Sequence, residues 1–475
     1  MKTSPLSRIA QWTGGRLVGA DASVSALATD TRGFDGTGAA TLFVALAGER
    51  FDGHDHVAAA AAQGATAALV ARELDVAIPQ VVVADTTRAL AALAGAMQRA
   101  RDTRVVAVTG SNGKTSVKQC TLAILSRAGH AYANPGNRNN EIGLPLAVID
   151  APEDADTAVY EMGAGKPGDI AYLTAIARPD VALVNNVAPA HLERMGSLLA
   201  IAETKAAVYD ALPADGVAVI NVDDAFAPYF AERAHGRRLI RFGFGDSPDI
   251  TVRDLASDGE GSRFVLVTPL GDVAVALPLP GRHNVANAMA AAGLALGCGV
   301  DLDTIAAGLG DVQAVEGRLV RHRLSSGAVL VDDSYNANPG SLNAAIDVLA
   351  DTAGERWLVL GDMRELGDDA EALHAEAGRR ARAAGVARVY ALGTLSAHAA
   401  EAFGDGGRVF DSHPALAEAL RGDLEVARQQ LAAMAAPTGE GAAVPPATVV
   451  VKGSRGSAMD RVVAMLLEGD AAHAA

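Results

Sequence analysis

The feature of this sequence that most constrains its fold is a run in which an apolar strand, a glycine-rich turn and a helix follow one another. Residues 105–115 read VVAVTGSNGKT. The apolar start predicts a buried strand at 105–109, and the residues after the turn predict a helix at 115–128. The N–H groups and the dipole at such a helix start attract phosphate, and the glycines let a ligand approach the backbone closely. This run therefore predicts a nucleotide-binding α/β domain.

The same loop carries the side chains that phosphate chemistry needs. Lys114 can reach the β- and γ-phosphates, and the hydroxyl of Thr115 can bind Mg²⁺. The general pattern GxxxxGK[ST] is not fully met, because Val108 stands at its first glycine, so the loop is a tighter variant. Its predicted ATP-binding residues are Gly110, Ser111, Asn112, Gly113, Lys114 and Thr115. The alternative is a glycine-rich turn without a ligand, as in many α/β proteins.

The chain is long enough for several domains. Its 475 residues exceed one typical core, a charged stretch lies at 101–104, and a further alternating block begins near residue 318. Strands alternate with helices in the second and third blocks, which is typical of parallel sheets covered by helices. We therefore expect an α/β fold of three domains: an N-terminal domain at 1–103, a central P-loop-type parallel-sheet ATPase domain at 104–315 and a C-terminal Rossmann-like, doubly wound domain at 316–475.

Patterning places the main elements within these domains. The predicted strands are 41–46, 67–70, 158–162, 181–185, 263–268, 273–279, 329–332, 357–360, 386–392 and 448–451. The predicted helices include 57–63, 87–100, 198–211, 340–350, 371–384 and 459–467, with another starting near residue 283. Residues 263–279 are expected to form a hairpin. Residues 435–446, rich in Ala, Gly and Pro, are expected to form an exposed loop without a chemical role.

Charge and cysteine content exclude some classes of function. The formal net charge of −16 makes non-specific binding to nucleic acid or to a membrane surface unfavourable. Cys120 and Cys298 lie far apart in the sequence without a CxxC spacing, so we expect no disulfide framework and a location in the reducing cytoplasm. Residues 1–12 lack a long apolar run, and no signal peptide is expected.

Further motifs follow the glycine-rich loop in a fixed order. They are GNRNNEIGLP (136–145), YEMGA (160–164), NNVAPAHLERMGS (185–197), AETKAAVYD (202–210), GRHNVANAMAAA (281–292), EGRL (316–319), DDSYNANPGS (332–341), GDMRELG (361–367) and VKGSRGSAM (451–459). Together with TGSNGKT and an N-terminal run at 29–57, they resemble the Mur ligase family over nearly the whole chain.

This resemblance implies an activity. ATP would phosphorylate the terminal carboxylate of a UDP-N-acetylmuramoyl-tripeptide, and an incoming amine would attack the acyl phosphate. Within the family, DDSYNANP, GDMRELG and VKGSR resemble the members that add D-alanyl-D-alanine. The first domain would then hold the UDP end, the second ATP, and the third would close on both and bring in the dipeptide. The enzyme is expected to act as a monomer.

The resemblance also implies a metal site. Glu161 lies at the carboxyl end of a predicted strand of a parallel sheet, so its carboxylate is expected to face the ligand crevice. By resemblance Thr115, Glu161, His191 and Lys205 hold Mg²⁺, with two ions expected. Lys205 would do so as a carbamate formed with CO₂, because hard cations prefer oxygen ligands over an ammonium. The alternatives are a solvated acid for Glu161, a structural or surface histidine for His191 and a solvated lysine for Lys205.

The remaining candidate residues bind nucleotide or substrate. Asn284 and Asn287 share one helix face, and the resemblance places Asn284 at the ATP base, the alternative being a helix cap. Arg318 at the hinge would reach the γ-phosphate after closure, and Asp333 could accept hydrogen bonds from ribose hydroxyls. The catalytic candidates are Lys114, Lys205, His191 and Arg318. The substrate-binding candidates are Thr31 and Arg32 for UDP, Asn137, Asn139 and Asn140 for the muramoyl-peptide or phosphate, Tyr335, Asn336 and Asn338 for the dipeptide or adenine, and Lys452 and Arg455 for a substrate carboxylate.

Three other functions stay open at this point. A sibling ligase would add a single amino acid to the same precursor. A P-loop ATPase switch would hydrolyse ATP without a small co-substrate, and would not need Lys205 or the Asn-rich loop at 137–140. A non-catalytic nucleotide-binding module is the third, which the presence of Lys114, Thr115 and Glu161 disfavours.

Overall fold

The computed structural model describes residues 1–34, 38–189, 192–245, 247–258, 260–434 and 447–474. Two sequence predictions, the role of His191 and the exposed loop at 435–446, lie outside the described residues.

The N-terminal part of the chain folds around a five-stranded sheet. This part of the chain contains the strands β1 (Ser4–Pro5), β2 (Arg16–Val18), β3 (Ser23–Val24), β4 (Ala26–Ala28), β5 (Thr41–Val44), β6 (Ala47–Gly48), β7 (Phe51–Asp52), β8 (Ala65–Val70) and β9 (Gln80–Val82), and the helices α1 (Leu6–Thr13), α2 (Val57–Ala62) and α3 (Thr86–Arg99). The pairs β1-β3 and β6-β7 form two separate two-stranded sheets. The sheet order is β2-β9-β8-β5-β4, antiparallel at β2 and parallel elsewhere. Sequence patterning found β5, β8, α2 and α3, whereas strands of two or three residues are too short to show a period.

The central part is built on a six-stranded, fully parallel sheet. Its strands are β10 (Arg104–Thr109), β11 (Ala131–Ala133), β12 (Thr157–Glu161), β13 (Val181–Val184), β14 (Val217–Asn221) and β15 (Arg238–Phe242), in the order β11-β12-β10-β13-β14-β15. Its helices are α4 (Lys114–Ala128), α5 (Gly143–Asp150), α6 (Asp169–Ala177), α7 (Leu192–Met195), α8 (Leu198–Asp210), α9 (Ala227–Arg233), α10 (Arg282–Gly297) and α11 (Leu302–Gly310). Because β10 lies between β12 and β13, its carboxyl end meets theirs at one edge. That edge is where ligands bind in open α/β sheets.

A small antiparallel sheet is attached to this domain. It consists of β16 (Thr251–Ser257), β17 (Ser262–Thr268) and β18 (Gly271–Leu277). The predicted hairpin is β17 and β18, and β16 adds a third strand that the sequence pattern did not indicate.

The C-terminal part is a second, mostly parallel six-stranded sheet. Its strands are β19 (Val320–Arg323), β20 (Val329–Asp333), β21 (Glu355–Gly361), β22 (Arg388–Leu392), β23 (Gly407–Phe410) and β24 (Ala447–Lys452), in the order β19-β20-β24-β21-β22-β23. The helices are α12 (Pro339–Ala350), α13 (Ala370–Ala383), α14 (Ser396–Phe403), α15 (His413–Met434) and α16 (Asp460–Ala474). Apolar clusters lie on both faces of this sheet, as expected for a doubly wound domain. The predicted α/β fold class is confirmed.

One apolar core joins the first two parts of the chain. Helix α3 contacts α1 on one side and α5 and α6 on the other, and a single cluster of buried residues runs from Leu6 to Ala234. The boundary predicted at residues 103–104 falls in the segment between α3 and β10, and the three domain ranges remain an interpretation. Among the described residues, no helix is both long and apolar enough to cross a membrane.

Candidate active site

The phosphate loop is the turn between β10 and α4. Its end is Gly113, which precedes α4 with a φ of +77°. Asn186, which follows β13, fixes the loop backbone by accepting a hydrogen bond from Ser111 N at 2.9 Å and from Asn112 N at 2.8 Å. The side chain of Asn185 donates to Asn112 O at 3.0 Å. The loop shape is therefore set by the neighbouring strand as well as by its own glycines.

Gly113 lies where a side chain has no room. A Cβ atom there would lie 2.5 Å from Asn185 Nδ2 and 2.5 Å from Asn287 Oδ1, and positive φ disfavours any L side chain. We expect Gly113→Ala to weaken ADP binding about tenfold or more, a loss of roughly 1.4 kcal/mol, because relieving this clash must shift the phosphate loop or the asparagines that hold it. Titration calorimetry measures this. Gly168→Ala is the control, because Gly168 has a φ of +88° with nothing within 4 Å. Equal effects of both substitutions would contradict the steric argument.

Two cavities meet at this loop. The first, of about 320 Å³, lies between the central and C-terminal domains. Its lining includes Asn112, Gly113, Thr115, Asn284, Asn287, Asp333, Asn338 and Lys452. The second, of about 450 Å³, lies on the other side of the loop. Its lining includes Gly110, Asn137, Asn139, Asn140, Glu161, Lys205 and Tyr335. Both cavities share Ser111, Lys114, Arg318 and Asn336. A ligand filling either cavity would therefore reach the same lysine and arginine.

Lys114 and Lys205 approach the same backbone atom. Lys114 Nζ donates to Gly110 O at 2.8 Å and to Ser111 O at 3.2 Å, while Lys205 Nζ donates to Gly110 O at 3.0 Å. Desolvation lowers the pKa of Lys114, with the charge of Glu161 acting in the opposite direction. Burial, followed by the charge of Lys114, lowers the pKa of Lys205 far below its ordinary value. A positive charge on Lys205 is therefore disfavoured at this position.

Glu161 ends β12, as the sequence analysis expected, and is buried in the second cavity. Its Oε2 atom accepts from Thr115 Oγ1 at 3.0 Å, and its Oε1 atom accepts from Asn139 Nδ2 at 2.8 Å. Burial acts to raise the pKa of Glu161, but the charges of Lys114 and Lys118 and the hydrogen bonds from Asn139 and Thr115 together hold this pKa below its ordinary value. The group is therefore an anionic oxygen donor next to a hydroxyl.

This pair of oxygen donors fits Mg²⁺ better than a metal that needs several protein ligands. The described residues contain no group of three or more His, Cys, Asp or Glu able to hold a metal ion. Mg²⁺ is commonly held by one or two protein oxygens together with water and phosphate oxygens. Thr115 and Glu161 supply that number. A second ion would need further oxygen donors. Lys205 lines the same cavity but could bind Mg²⁺ only after a modification that adds oxygen atoms to its side chain.

Arg318 brings the C-terminal domain to the phosphate loop. Its Nη2 atom donates to Thr115 Oγ1 at 3.1 Å, and its guanidinium lies 4.5 Å from the ring centroid of Tyr335. Its Nε atom is buried and has no hydrogen-bond partner among the described residues. Asn338 Nδ2 also reaches Asn112 Oδ1 at 2.7 Å. Two predicted residues of the third domain therefore already contact the loop in this structure.

The predicted nucleotide residues line the first cavity. Asn284 and Asn287 are both buried on α10, and Asn284 Nδ2 donates to Pro280 O at 2.8 Å. Asp333 accepts from Lys452 Nζ at 2.5 Å, and burial raises the pKa of Asp333 against the charge of that lysine. Lys452 also donates to Asn336 O at 3.0 Å. Its charge is thus engaged within the protein, and its predicted contact with a substrate carboxylate stays a prediction.

Three other predicted residues do not line either cavity. Thr31 and Arg32 lie in a short 3₁₀ turn of the first domain, outside the two cavities, and Arg32 is exposed and bound to Asp30. Arg455 is exposed, with its guanidinium 5.7 Å from the ring centroid of Tyr335 and 3.5 Å from Asp460. Their predicted contacts with UDP and with a dipeptide remain predictions.

Sequence reasoning missed three residues of the site. Asn185 and Asn186 hold the phosphate loop, and Lys118 is buried 3.4 Å from Glu161 Oε2. Two asparagines directly after a buried parallel strand are a usable signal, because they must lie at the ligand edge of the sheet. Lys118 gives no such signal, since a lysine in a helix is usually solvated.

One phosphate loop that borders two cavities is the arrangement expected of an enzyme that transfers a group between a nucleotide and a second substrate. Family models agree over most of the chain. They are the Mur ligase family, catalytic domain, at 23–108, the Mur ligase middle domain at 108–295, and the Mur ligase, glutamate ligase domain, at 317–455.

Known proteins match over 80% to 98% of the chain. The chain is 43% identical to the UDP-N-acetylmuramoyl-tripeptide–D-alanyl-D-alanine ligase of Escherichia coli strain K12, over 98% of each chain. It is 36% identical to the protein of that name from Bacillus subtilis strain 168, over 80% of this chain and 82% of that one. The crystal structure of MurF from Acinetobacter baumannii superposes with a TM-score of 0.90 at 32% identity, covering 98% of this chain and all of that one. The chain belongs to the Mur ligase family, and it is an ATP-dependent ligase that forms C–N bonds.

Proposed function

We propose that this enzyme joins the amine of D-alanyl-D-alanine to the terminal carboxylate of UDP-N-acetylmuramoyl-tripeptide and releases ADP and phosphate. The product would be the UDP-muramoyl-pentapeptide precursor of peptidoglycan. The relatives at 43% and 36% identity carry this activity in their names. The observation that carries the proposal is that two separate cavities meet at one phosphate loop, which leaves room for a nucleotide on one side and a second substrate on the other.

The geometry supports ATP in the first cavity and the tripeptide in the second. A γ-phosphate at the loop would lie beside Lys114 and Arg318, which line both cavities. The Nε of Arg318, which has no hydrogen-bond partner in the described part of the chain, would be a donor for a phosphate oxygen. A related MurF structure from Thermotoga maritima, 26% identical over 95% of this chain, is a complex with ADP. The acceptor carboxylate would attack from the side of Asn137, Asn139 and Asn140.

The protein groups would act mainly on charge. Lys114 and Arg318 would neutralise the oxygens of the transferring phosphoryl group, which is where such enzymes obtain most of their rate. Thr115 and Glu161 would hold Mg²⁺, and when bound this ion supplies further neutralisation and alignment of the phosphates. A carbamate on Lys205 and the side chain of His191 would supply the ligands of a second ion. Closure of the third domain would keep water from the acyl phosphate.

The dipeptide would enter from the third domain. Tyr335, Asn336 and Asn338 offer uncharged polar groups, and the guanidinium of Arg455 lies next to the Tyr335 ring. A guanidinium can bind a carboxylate through two parallel hydrogen bonds. Discrimination against a single amino acid follows if these groups are left unpaired without the dipeptide carboxylate. We further propose that the enzyme acts as a monomer in the cytoplasm.

The decisive measurement is phosphate release combined with product mass. We expect ATP to be cleaved to ADP and phosphate only when UDP-N-acetylmuramoyl-tripeptide and D-alanyl-D-alanine are both present, and the product mass to be that of the pentapeptide. D-alanine alone, at the same concentration, is the matched control for the dipeptide. Equal rates with single amino acids would replace this proposal with a sibling ligase, and equal ATP turnover without any acceptor would replace it with an ATPase switch.

A further inference from the structure

Lys118 is a buried lysine that the proposed reaction does not use. It lies one turn after Lys114 on α4, and only 1% of it is exposed. A buried ammonium is costly unless its three N–H groups find partners. Its Nζ atom donates to Asn134 O at 2.9 Å and to Gly136 O at 3.2 Å, and it lies 3.4 Å from Glu161 Oε2. Three acceptors therefore surround one three-donor group.

Two of these hydrogen-bond acceptors, Asn134 O and Gly136 O, belong to the loop that follows β11. We call residues 134–140 the acceptor loop, after the acceptor substrate proposed for the second cavity. It carries Asn137, Asn139 and Asn140, all of which line the second cavity. Asn134 also ties this loop to the end of β12, because its Nδ2 atom donates to Glu161 O at 3.1 Å and its Oδ1 atom accepts from Glu161 N at 2.9 Å. Lys118 thus binds the backbone of a loop whose side chains face the second substrate.

The third acceptor is the carboxylate that fits Mg²⁺. Glu161 Oε1 is held by Asn139 of the acceptor loop at 2.8 Å, and Oε2 accepts from Thr115 at 3.0 Å beside Lys118. Without Lys118, one carboxylate oxygen and two loop carbonyls would lose a shared donor. The loop and the carboxylate would then be less restrained. Because Asn139 hydrogen-bonds to Glu161, a shift of either one would displace the other.

We propose that Lys118 is a positioning residue that holds the acceptor loop and the Glu161 carboxylate in one geometry, so that binding of the acceptor and binding of the metal depend on each other. The identity of the acceptor rests on the proposed function. Lys114, one turn earlier on the same helix, contacts the carbonyls of the phosphate loop instead. Lys114 therefore holds the phosphate loop, whereas Lys118 holds the acceptor loop.

The test compares three variants with the parent enzyme. Lys118→Met keeps similar length but has neither charge nor donors, and Lys118→Arg keeps both. Thr121→Val is the control, because Thr121 is buried on the same helix and its hydroxyl donates to Val117 O at 2.7 Å. Titration calorimetry gives the affinities for UDP-N-acetylmuramoyl-tripeptide and for ADP with and without Mg²⁺, and steady-state assays give KM and kcat.

We expect Lys118→Met to weaken tripeptide binding about tenfold or more, because the partners of a buried charge are left unpaired. The gain in ADP affinity that Mg²⁺ provides should shrink, while ADP binding without Mg²⁺ should stay within about twofold of the parent, since no contact to that cavity is lost. Lys118→Arg should lie between Lys118→Met and the parent. Thr121→Val should bind the tripeptide and Mg²⁺–ADP as the parent does.

Two results would overturn the inference: an unchanged tripeptide affinity with an unchanged Mg²⁺ effect, or equal losses for tripeptide and Mg²⁺-free ADP. If thermal melting shows that Lys118→Met does not fold, Lys118→Arg decides by the same criteria. Failure of the proposed function looks different, because the parent itself would then not bind the tripeptide. In that case the effect of Mg²⁺ on ADP affinity still decides the role of Lys118.

Discussion

Lys114→Ala is expected to lower turnover by roughly 10²–10³-fold or more, the range found when one donor that stabilises transition-state charge is removed. The lysine lines both cavities, so its ammonium would stay close to the phosphoryl group throughout the transfer from nucleotide to acceptor. Its hydrogen bonds to Gly110 O and Ser111 O are local to the loop, and its removal also relieves repulsion with Lys205. The fold should therefore persist, and the loss should appear in kcat.

The measurement is steady-state phosphate release, with thermal melting as the check on folding. Lys2→Ala is the matched control, since Lys2 is an exposed lysine in the first domain. It should behave as the parent enzyme does. Near-normal turnover in folded Lys114→Ala would show that this lysine of the phosphate loop does not take part in phosphoryl transfer, even if the first cavity binds a nucleotide.

The local parts of this site follow from the sequence. A buried strand and a glycine-rich turn before a helix predicted the phosphate loop, and the structure has β10 at Arg104–Thr109 and α4 from Lys114. Glu161 was expected at the ligand edge because it ends a parallel strand, and it lies there. These inferences need only neighbours in the chain and the rule that parallel strands end at one edge.

The contacts between distant segments were out of reach of such reasoning. Arg318 meets Thr115 across 203 positions, and Lys452 meets Asp333 across 119. The sequence analysis assigned Lys452 to a substrate carboxylate and could not show its contact with Asp333, which lies far away in the chain. The same limit applies to Lys118, whose partners are the backbone carbonyls of another segment. Single-sequence periodicity carries no information on which segments pack together.

The missed elements have a different cause. The strand β9 has three residues, which is less than two periods of alternation. The helix α15 has 22 residues, and sequence patterning did not predict it. Its alanine and leucine residues alternate with charged residues, which makes the apolar face hard to recognise. The apolar residues that it buries include Leu416, Leu420 and Leu424, which recur at four-residue spacing and are a usable signal for a helix.

Lys205 has surroundings that suit a chemical change better than a permanent charge. It is 4% exposed, and its Nζ atom shares Gly110 O with Lys114, so a second ammonium there would face repulsion without solvent. Burial and this neighbour both lower the pKa of Lys205. A neutral amine is the form that reacts with CO₂, and the resulting carbamate would carry a negative charge next to Lys114 and two oxygens for Mg²⁺.

Lys205→Ala is therefore expected to be nearly inactive and to regain part of its activity in formate or acetate, because a short carboxylate can fill the space left by the side chain and restore oxygen ligands. The assay is phosphate release with and without added carboxylate. Lys114→Ala is the matched control, since the loss of a cation cannot be repaired by an anion, and it should gain nothing. In the parent enzyme, ¹³C-labelled bicarbonate should give a carbamate signal by NMR that Lys205→Ala lacks. Full activity of Lys205→Ala without any additive would show that the lysine does not act as a ligand, and equal rescue of both variants would show that the added anion acts elsewhere.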